Sequence, residues 1–186
     1  METKLKIKTL DSNIPIKKFK KIKKAPITVI LDNLRSAFNV GSIIRTSDCA
    51  LIEKVIMCGI TAHPPHKKLE KTAVGTLDYV QCEYEPFLMD AVKKQQKQGI
   101  PVIALETTNK SKIIWNFNFP FPVSIILGNE ALGISPQVLK LVDDIVEIPM
   151  LGFKNSINVA VAYGIVIHEI QRQHWQNYPK QTWNKK

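Results

Sequence analysis

The chain has 186 residues, 45% hydrophobic and 23% charged, enough for one compact domain with a sizeable core and a short appendage. Its net charge of +10 is uneven: residues 1–24 hold nine Lys against Glu2 and Asp11, residues 169–186 are also basic, and the body between is near neutral, which suits a polyanionic partner or a solubilising tail. Cys49, Cys58 and Cys82 are widely spaced with no C-x-x-C, which argues against a disulfide framework or a zinc site; with no signal-peptide core or membrane-length apolar run, a cytosolic location is the expectation.

In chain order, residues 1–24 alternate Lys with isolated apolar residues such as Leu5, Ile7, Ile16, Phe19 and Ile22. They are open to two readings, a short amphipathic element or a segment ordered only by a partner. Pro26 marks the boundary, so the division expected is a basic extension over 1–24, a domain over 25–175 and a basic tail over 176–186. Ile27 to Leu31 reads as a buried strand, followed by a loop from Asp32-Asn33 to Asn39. Asn39 is a good N-cap, and Val40, Ile43, Ile44 and Ser47 share one face of the helix after it. Lys54 to Cys58 is the next strand. Gly59 to Gly75 reads as a polar loop broken by prolines; its His63 and His66 lack a third ligand at usable spacing, so contact with a substrate phosphate is preferred to a metal. Asp78 to Glu83 is a strand, Pro86 opens a helix at its first position that ends near Gly99, and Pro101 to Leu105 is a strand. Residues 109–122 are irregular, with Trp115, Phe117, Phe119 and Phe121 read as packing residues. Val123 to Leu127 is a strand, Ser135-Pro136 begins a helix to about Val142, and Ile145 to Ile148 is a strand. The last helix runs from about Ser156 to Trp175 and is apolar nearly all round from Ile157 to Ile167, with no solvent face, which points to subunit association as well as core packing. Strands alternating with helices predict an α/β fold, a mostly parallel sheet with helices on both faces.

Two corners stand out. Leu127-Gly128-Asn129-Glu130-Ala131-Leu132-Gly133 and Ile148 through Asn158 each follow an apolar strand and lead into a helical segment. The carboxyl ends of parallel strands leave a crevice for ligands, and a carboxylate at Glu130 between two glycines is poorly explained by packing. There is no G-x-x-x-x-G-K-[ST] loop and no G-x-G-x-x-G after the first strand, which disfavours nucleoside triphosphate hydrolysis and the usual dinucleotide fold.

Together with Asn39-Val40-Gly41-Ser42-Ile43-Ile44-Arg45-Thr46, these corners form three segments in the order and spacing of a known family. Over about residues 27–170, and with Lys71-Thr72-Ala73-Val74-Gly75 in support, the chain resembles the SpoU (TrmH) branch of the SPOUT RNA methyltransferases. The resemblance implies a sheet whose C-terminal part threads a trefoil knot, a homodimer with the site near its interface, and transfer of a methyl group from S-adenosylmethionine to a ribose 2′-hydroxyl of RNA, with no metal and no membrane. Matched residue by residue, it implies a catalytic set of Asn39, Arg45, Glu130, Ser156 and Asn158. It also implies a cofactor site of Leu105, Thr107, Leu127, Gly128, Ile148, Met150, Ser156 and Ile157. Arg35 with Lys17, Lys18, Lys20 and Lys21 is assigned to RNA. With no separate RNA-binding domain in view, tRNA is favoured over rRNA as substrate.

The chemistry requires hydroxyl, methyl carbon and sulfur in line, and a route for the hydroxyl proton. A guanidinium is permanently charged, so Arg45 has two conceivable roles: fixing a phosphate and stabilising the developing alkoxide, or acting as base only under strong perturbation. Asn39 and Ser156 are also simple helix-cap candidates. The rival readings are a non-catalytic SPOUT-like RNA-binding module or assembly factor, which would bind RNA without cofactor, and a small-molecule binder indifferent to RNA.

Overall fold

The structure, a computed structural model, describes residues 15–19 and 21–177. A four-residue helix α1 (Ile16–Phe19) precedes β1 (Ala25–Asp32), α2 (Ala37–Cys49), β2 (Ile52–Cys58), α3 (Lys67–Ala73), β3 (Gln81–Glu85) and α4 (Leu88–Lys97). The chain continues through β4 (Val102–Leu105), the two-residue β5 (Lys112–Ile113), β6 (Val123–Leu127), α5 (Pro136–Leu139), β7 (Asp144–Glu147) and α6 (Val159–Asn177). The seven strands form one sheet in the order β3-β2-β1-β6-β4-β7-β5, and every neighbouring pair is parallel.

A parallel sheet must be covered on both faces, and the central strands carry the sequence for it: β6, Val-Ser-Ile-Ile-Leu, is buried throughout. Alternation along β1 sends Ile27, Val29 and Leu31 to one layer and Ile30 to the other. The first layer is closed by α2, α3 and α6 through Val40, Ile43, Ile44, Leu69, Tyr163, Val166, Ile167 and Ile170. The second is closed by α4 and α5 through Leu88, Ala91, Val92 and Val138. Each such aliphatic side chain contributes about 1.5–3 kcal/mol relative to exposure.

Several local expectations are corrected. Helix α2 starts three residues early: Ser36 is its N-cap, with Oγ accepting from the Asn39 N–H at 3.3 Å, so Asn39 lies in the first turn. The segment read as a continuous loop contains α3, capped by the His66 ring, whose Nδ1 accepts from the Leu69 N–H, and anchored by buried Leu69 and Ala73. Strand β3 begins at Gln81 because Thr76–Asp78 forms a 3-10 turn, and Phe87 rather than Pro86 immediately precedes α4. Phe117 and Phe119 are buried and meet edge-to-face, but Trp115 is 58% exposed and does not pack. Helix α6 begins at Val159, not Ser156, and it does have an open face, on which Val161 and Ile165 remain exposed.

Candidate active site

Because the strands are parallel, their carboxyl ends share one edge of the sheet. A cavity of about 560 Å³ lies there. Its walls include Leu105 at the end of β4 and Thr107 just after it, Leu127 and Gly128 at the end of β6, Ile148 and Met150 after β7, and Ser156 and Ile157 before α6. Residues up to about 50 positions apart in the chain therefore share one space. The corner after β6 is folded tightly: a Cβ on Gly128 would come within 2.7 Å of the Gly133 carbonyl carbon and of Ile134. Gly133 itself has φ +64°, and a Cβ there would meet Glu106 Oε2 at 2.5 Å, so glycine is needed on both counts.

Glu106 is a site residue that the sequence reading did not single out. Its Oε2 accepts from the Ile134 N–H at 2.9 Å and its Oε1 from the Thr107 N–H at 3.0 Å, which ties the β4 exit to the β6 corner. Asn129 does similar work: Oδ1 accepts from the Ala131 and Leu132 N–H groups, and Nδ2 donates to the Asn33 carbonyl at 2.6 Å. Both contacts span distant segments, so no local spacing announces them; an acid or amide at a strand's carboxyl end was the available signal.

The polar side chains of the three motif segments are joined in series. Asn158 Nδ2 donates to Asn39 Oδ1 at 3.1 Å, and Asn39 Nδ2 donates to Glu130 Oε1 at 2.9 Å. Glu130 also accepts from the Arg35 N–H at 2.8 Å and the Ser36 N–H at 3.2 Å, placing its charge at the start of α2. Asn158 in turn caps α6, with Oδ1 accepting from the Ala160 and Val161 N–H groups. Partial burial is the largest single influence on the Glu130 carboxyl and pushes its pKa up. The N–H of Arg35, the Asn39 amide, its own N–H and that of Ser36 together outweigh burial and leave the pKa below the usual carboxylate value. Glu130 is therefore a fixed anion at neutral pH.

Glu130, Ser156 and Asn158 line the cavity; Asn39 reaches it through Asn158 and Glu130. Arg45 is apart. It sits six residues beyond Asn39, about 9 Å further along α2. It is exposed and has no hydrogen-bond or ion-pair partner among the described residues; the Glu130 carboxylate meets Asn39 instead. Arg35 is exposed beside Glu130. Lys17, Lys18 and Lys21 are exposed near α1, at the other edge of the sheet, where Phe19 meets Tyr79 edge-on at 5.5 Å; Lys20 lies outside the described residues. Among the described residues no group of three His, Cys, Asp or Glu is arranged to hold a metal.

A protein of Escherichia coli (strain K12) named tRNA (guanosine(18)-2'-O)-methyltransferase is 29% identical over 147 residues, covering 79% of this chain and 63% of that protein. The present chain thus spans a little under two thirds of that relative's length. The crystal structure of the Aquifex aeolicus TrmH/SpoU tRNA modifying enzyme superposes with a TM-score of 0.75 at 25% identity, over 86% of this chain and 80% of that one. An AdoMet-bound rRNA methyltransferase from Sinorhizobium meliloti superposes with a TM-score of 0.74 at 26% identity, over 84% of this chain and 60% of that one. The parallel sheet matches these structures, and the sequence profile of the SpoU rRNA Methylase family matches residues 26–168, the span that contains all three joined motif segments. The chain belongs to the SpoU rRNA Methylase family.

Proposed function

We propose that the chain binds S-adenosylmethionine in the carboxyl-edge cavity and transfers its methyl group to a ribose 2′-hydroxyl of structured RNA, tRNA ahead of rRNA. The observation that carries this reading is the Asn158–Asn39–Glu130 series, which ties the three motif segments together beside a cavity walled by the residues assigned to the cofactor. That cavity fits the cofactor's chemistry. Leu105, Leu127, Ile148 and Met150 offer apolar walls for a purine, the glycine corner admits close backbone approach, and Glu106, Glu130 and Glu147 supply negative charge for a cationic ligand. When bound, S-adenosylmethionine supplies an electrophilic methyl group on a sulfonium.

The protein's part is placement and charge. Glu130 and the two asparagines hold the start of α2 against the start of α6, fixing the cavity mouth to which a ribose must come. As the 2′-oxygen bonds to the methyl carbon its proton must leave. A permanently charged Arg45 is suited to grip the adjacent phosphate and stabilise the developing alkoxide, with that phosphate taking the proton. Within one chain Arg45 does not line the described cavity, so the reading has a second copy bring Arg45 there. Exposed Val161 and Ile165 on α6, and exposed Phe38 on α2, offer an apolar surface for such pairing. The trefoil knot, the basic arms flanking a domain of 25–175 and a cytosolic site of action belong to the same proposal. No helix among the described residues is long and apolar enough to cross a membrane, which is compatible with it.

The test is to incubate the full chain and labelled S-adenosylmethionine with tRNA and rRNA from a strain lacking the gene, then analyse nucleosides by mass spectrometry. One 2′-O-methyl nucleoside should be restored. Arg45→Ala should lower transfer by about 100-fold or more while cofactor affinity changes by less than about twofold. RNA binding by a wild-type chain that neither binds cofactor nor methylates would support the non-catalytic module instead.

A further inference from the structure

A second cavity, of about 590 Å³, opens at the same edge of the sheet but on its other face, under α4 and α5. The residue that defines it is Asp32, at the end of β1. Only 6% of Asp32 is exposed, and Oδ1 accepts from Asn33 Nδ2 at 2.7 Å. Oδ2 has no partner among the described residues, yet none of their buried side-chain oxygens is left unpaired; Oδ2 thus keeps some exposure, and the cavity is the open space that Asp32 lines. Around this acceptor stand Phe87 and Met89, which are 68% and 38% exposed, with Lys93 and Asp90 at the rim. The apolar surface continues through exposed Ile60, whose N–H donates to Asn33 Oδ1, to Tyr84, stacked on His63 with ring centroids 4.1 Å apart.

A lone carboxylate oxygen beside an open aromatic face calls for a flat, largely apolar ligand carrying an N–H donor. Among the components of RNA, that describes a nucleobase with an exocyclic amine. The position suits it as well. Asn33 lines the second cavity and Asn129 lines the first, and the two residues are joined by one hydrogen bond of 2.6 Å.

We propose that this second cavity takes one unstacked base of the RNA, adjacent to the nucleotide whose ribose is methylated, with Phe87 stacked on the base and Asp32 Oδ2 accepting from its exocyclic amine. The inference rests on the methyl-transfer reading for the identity of its polymer. Lys93 is placed to meet a flanking phosphate; where cytosine presents its exocyclic amine uracil presents a carbonyl, which a carboxylate repels, leaving uracil only its ring N3–H as donor.

The test is fluorescence anisotropy on the full chain with labelled oligocytidine and oligouridine of equal length at one fixed salt concentration. Wild type should bind oligocytidine about tenfold more tightly, and Asp32→Asn should shrink that preference to within about twofold. Phe87→Ala, at an exposed position that does not threaten the fold, should weaken both oligomers by about tenfold. No preference in wild type, a preference surviving in Asp32→Asn, or wild-type binding by Phe87→Ala would each overturn the proposal. Calorimetry with S-adenosylmethionine on the same wild-type sample separates the two readings. Cofactor binding without base preference removes this inference alone, whereas base preference without cofactor binding removes the methyl-transfer reading and leaves a base-binding surface.

Discussion

Asn39 shows what a single side chain can hide in a sequence. An asparagine before an apolar run reads as a helix cap, but Ser36 performs that service, and the Asn39 amide is spent on joining Glu130 to Asn158. Either residue satisfies the local rule; only the arrival of two segments from the far end of the chain decides between them. The tie that Glu106 makes was out of reach for the same reason, since its partner Ile134 lies 28 residues away. Asp32 yields a prediction at this scale. Burial raises its pKa above the ordinary 3.8, with the Asn33 hydrogen bond opposing. The folded protein therefore keeps this proton to higher pH than the unfolded chain, and ionising Asp32 removes folding stability as pH rises above 3.8. Asp32→Asn should melt at a higher temperature than wild type at neutral pH, with the gain dwindling as pH falls toward 3.8. Thermal melts across that range check it, and a variant less stable than wild type at neutral pH would contradict it.

Among the elements, those with a full apolar stripe or an unbroken β-branched run were legible: β1, β2, β6, α4 and the body of α2 fall where periodicity puts them. Helix α3 was not, because its seven residues present only Leu69 and Ala73 to the core amid lysines, and its cap is a histidine. The reading of α6 as buried on all sides followed from composition alone. The structure buries one stripe and leaves Val161 and Ile165 open. Its packing on α2 is fixed by a buried pair: the Tyr163 hydroxyl donates to Ser47 Oγ at 2.7 Å, and Ser47 donates to the Ile43 carbonyl at 2.8 Å. Burial raises the Tyr163 pKa well above the usual phenol range, so the hydroxyl stays neutral and remains a donor. Tyr163→Phe should cost about 1 kcal/mol of unfolding free energy in denaturant titrations, leaving the fold intact. An unchanged midpoint would show that this bond does not help hold α6 in place.

At the scale of the whole molecule, the parallel sheet separates the two cavities from the basic residues near α1. The cavities lie at the carboxyl edge, whereas Lys17, Lys18 and Lys21 lie near the amino edge, roughly 25 Å away for a strand as long as β1. Under the proposed function, basic residues there would hold RNA at a distance from the chemistry. Removing residues 1–24 should weaken RNA affinity and flatten its salt dependence without altering cofactor affinity; an unchanged salt slope in filter binding would exclude a direct RNA contact by that segment. The fold class and the strand–loop–helix corners could be read from alternation, but not the strand order, which sets β6 between β1 and β4 and so gathers the corners at one place. Everything proposed for the site depends on that gathering having produced a cofactor cavity. Calorimetric titration of the full chain with S-adenosylmethionine tests this most directly, alongside Ser156→Trp, which places a large side chain at an exposed position of the cavity wall. The expected result is saturable binding by wild type and none by Ser156→Trp; an absence of heat with wild type, or equal binding by both, would contradict it.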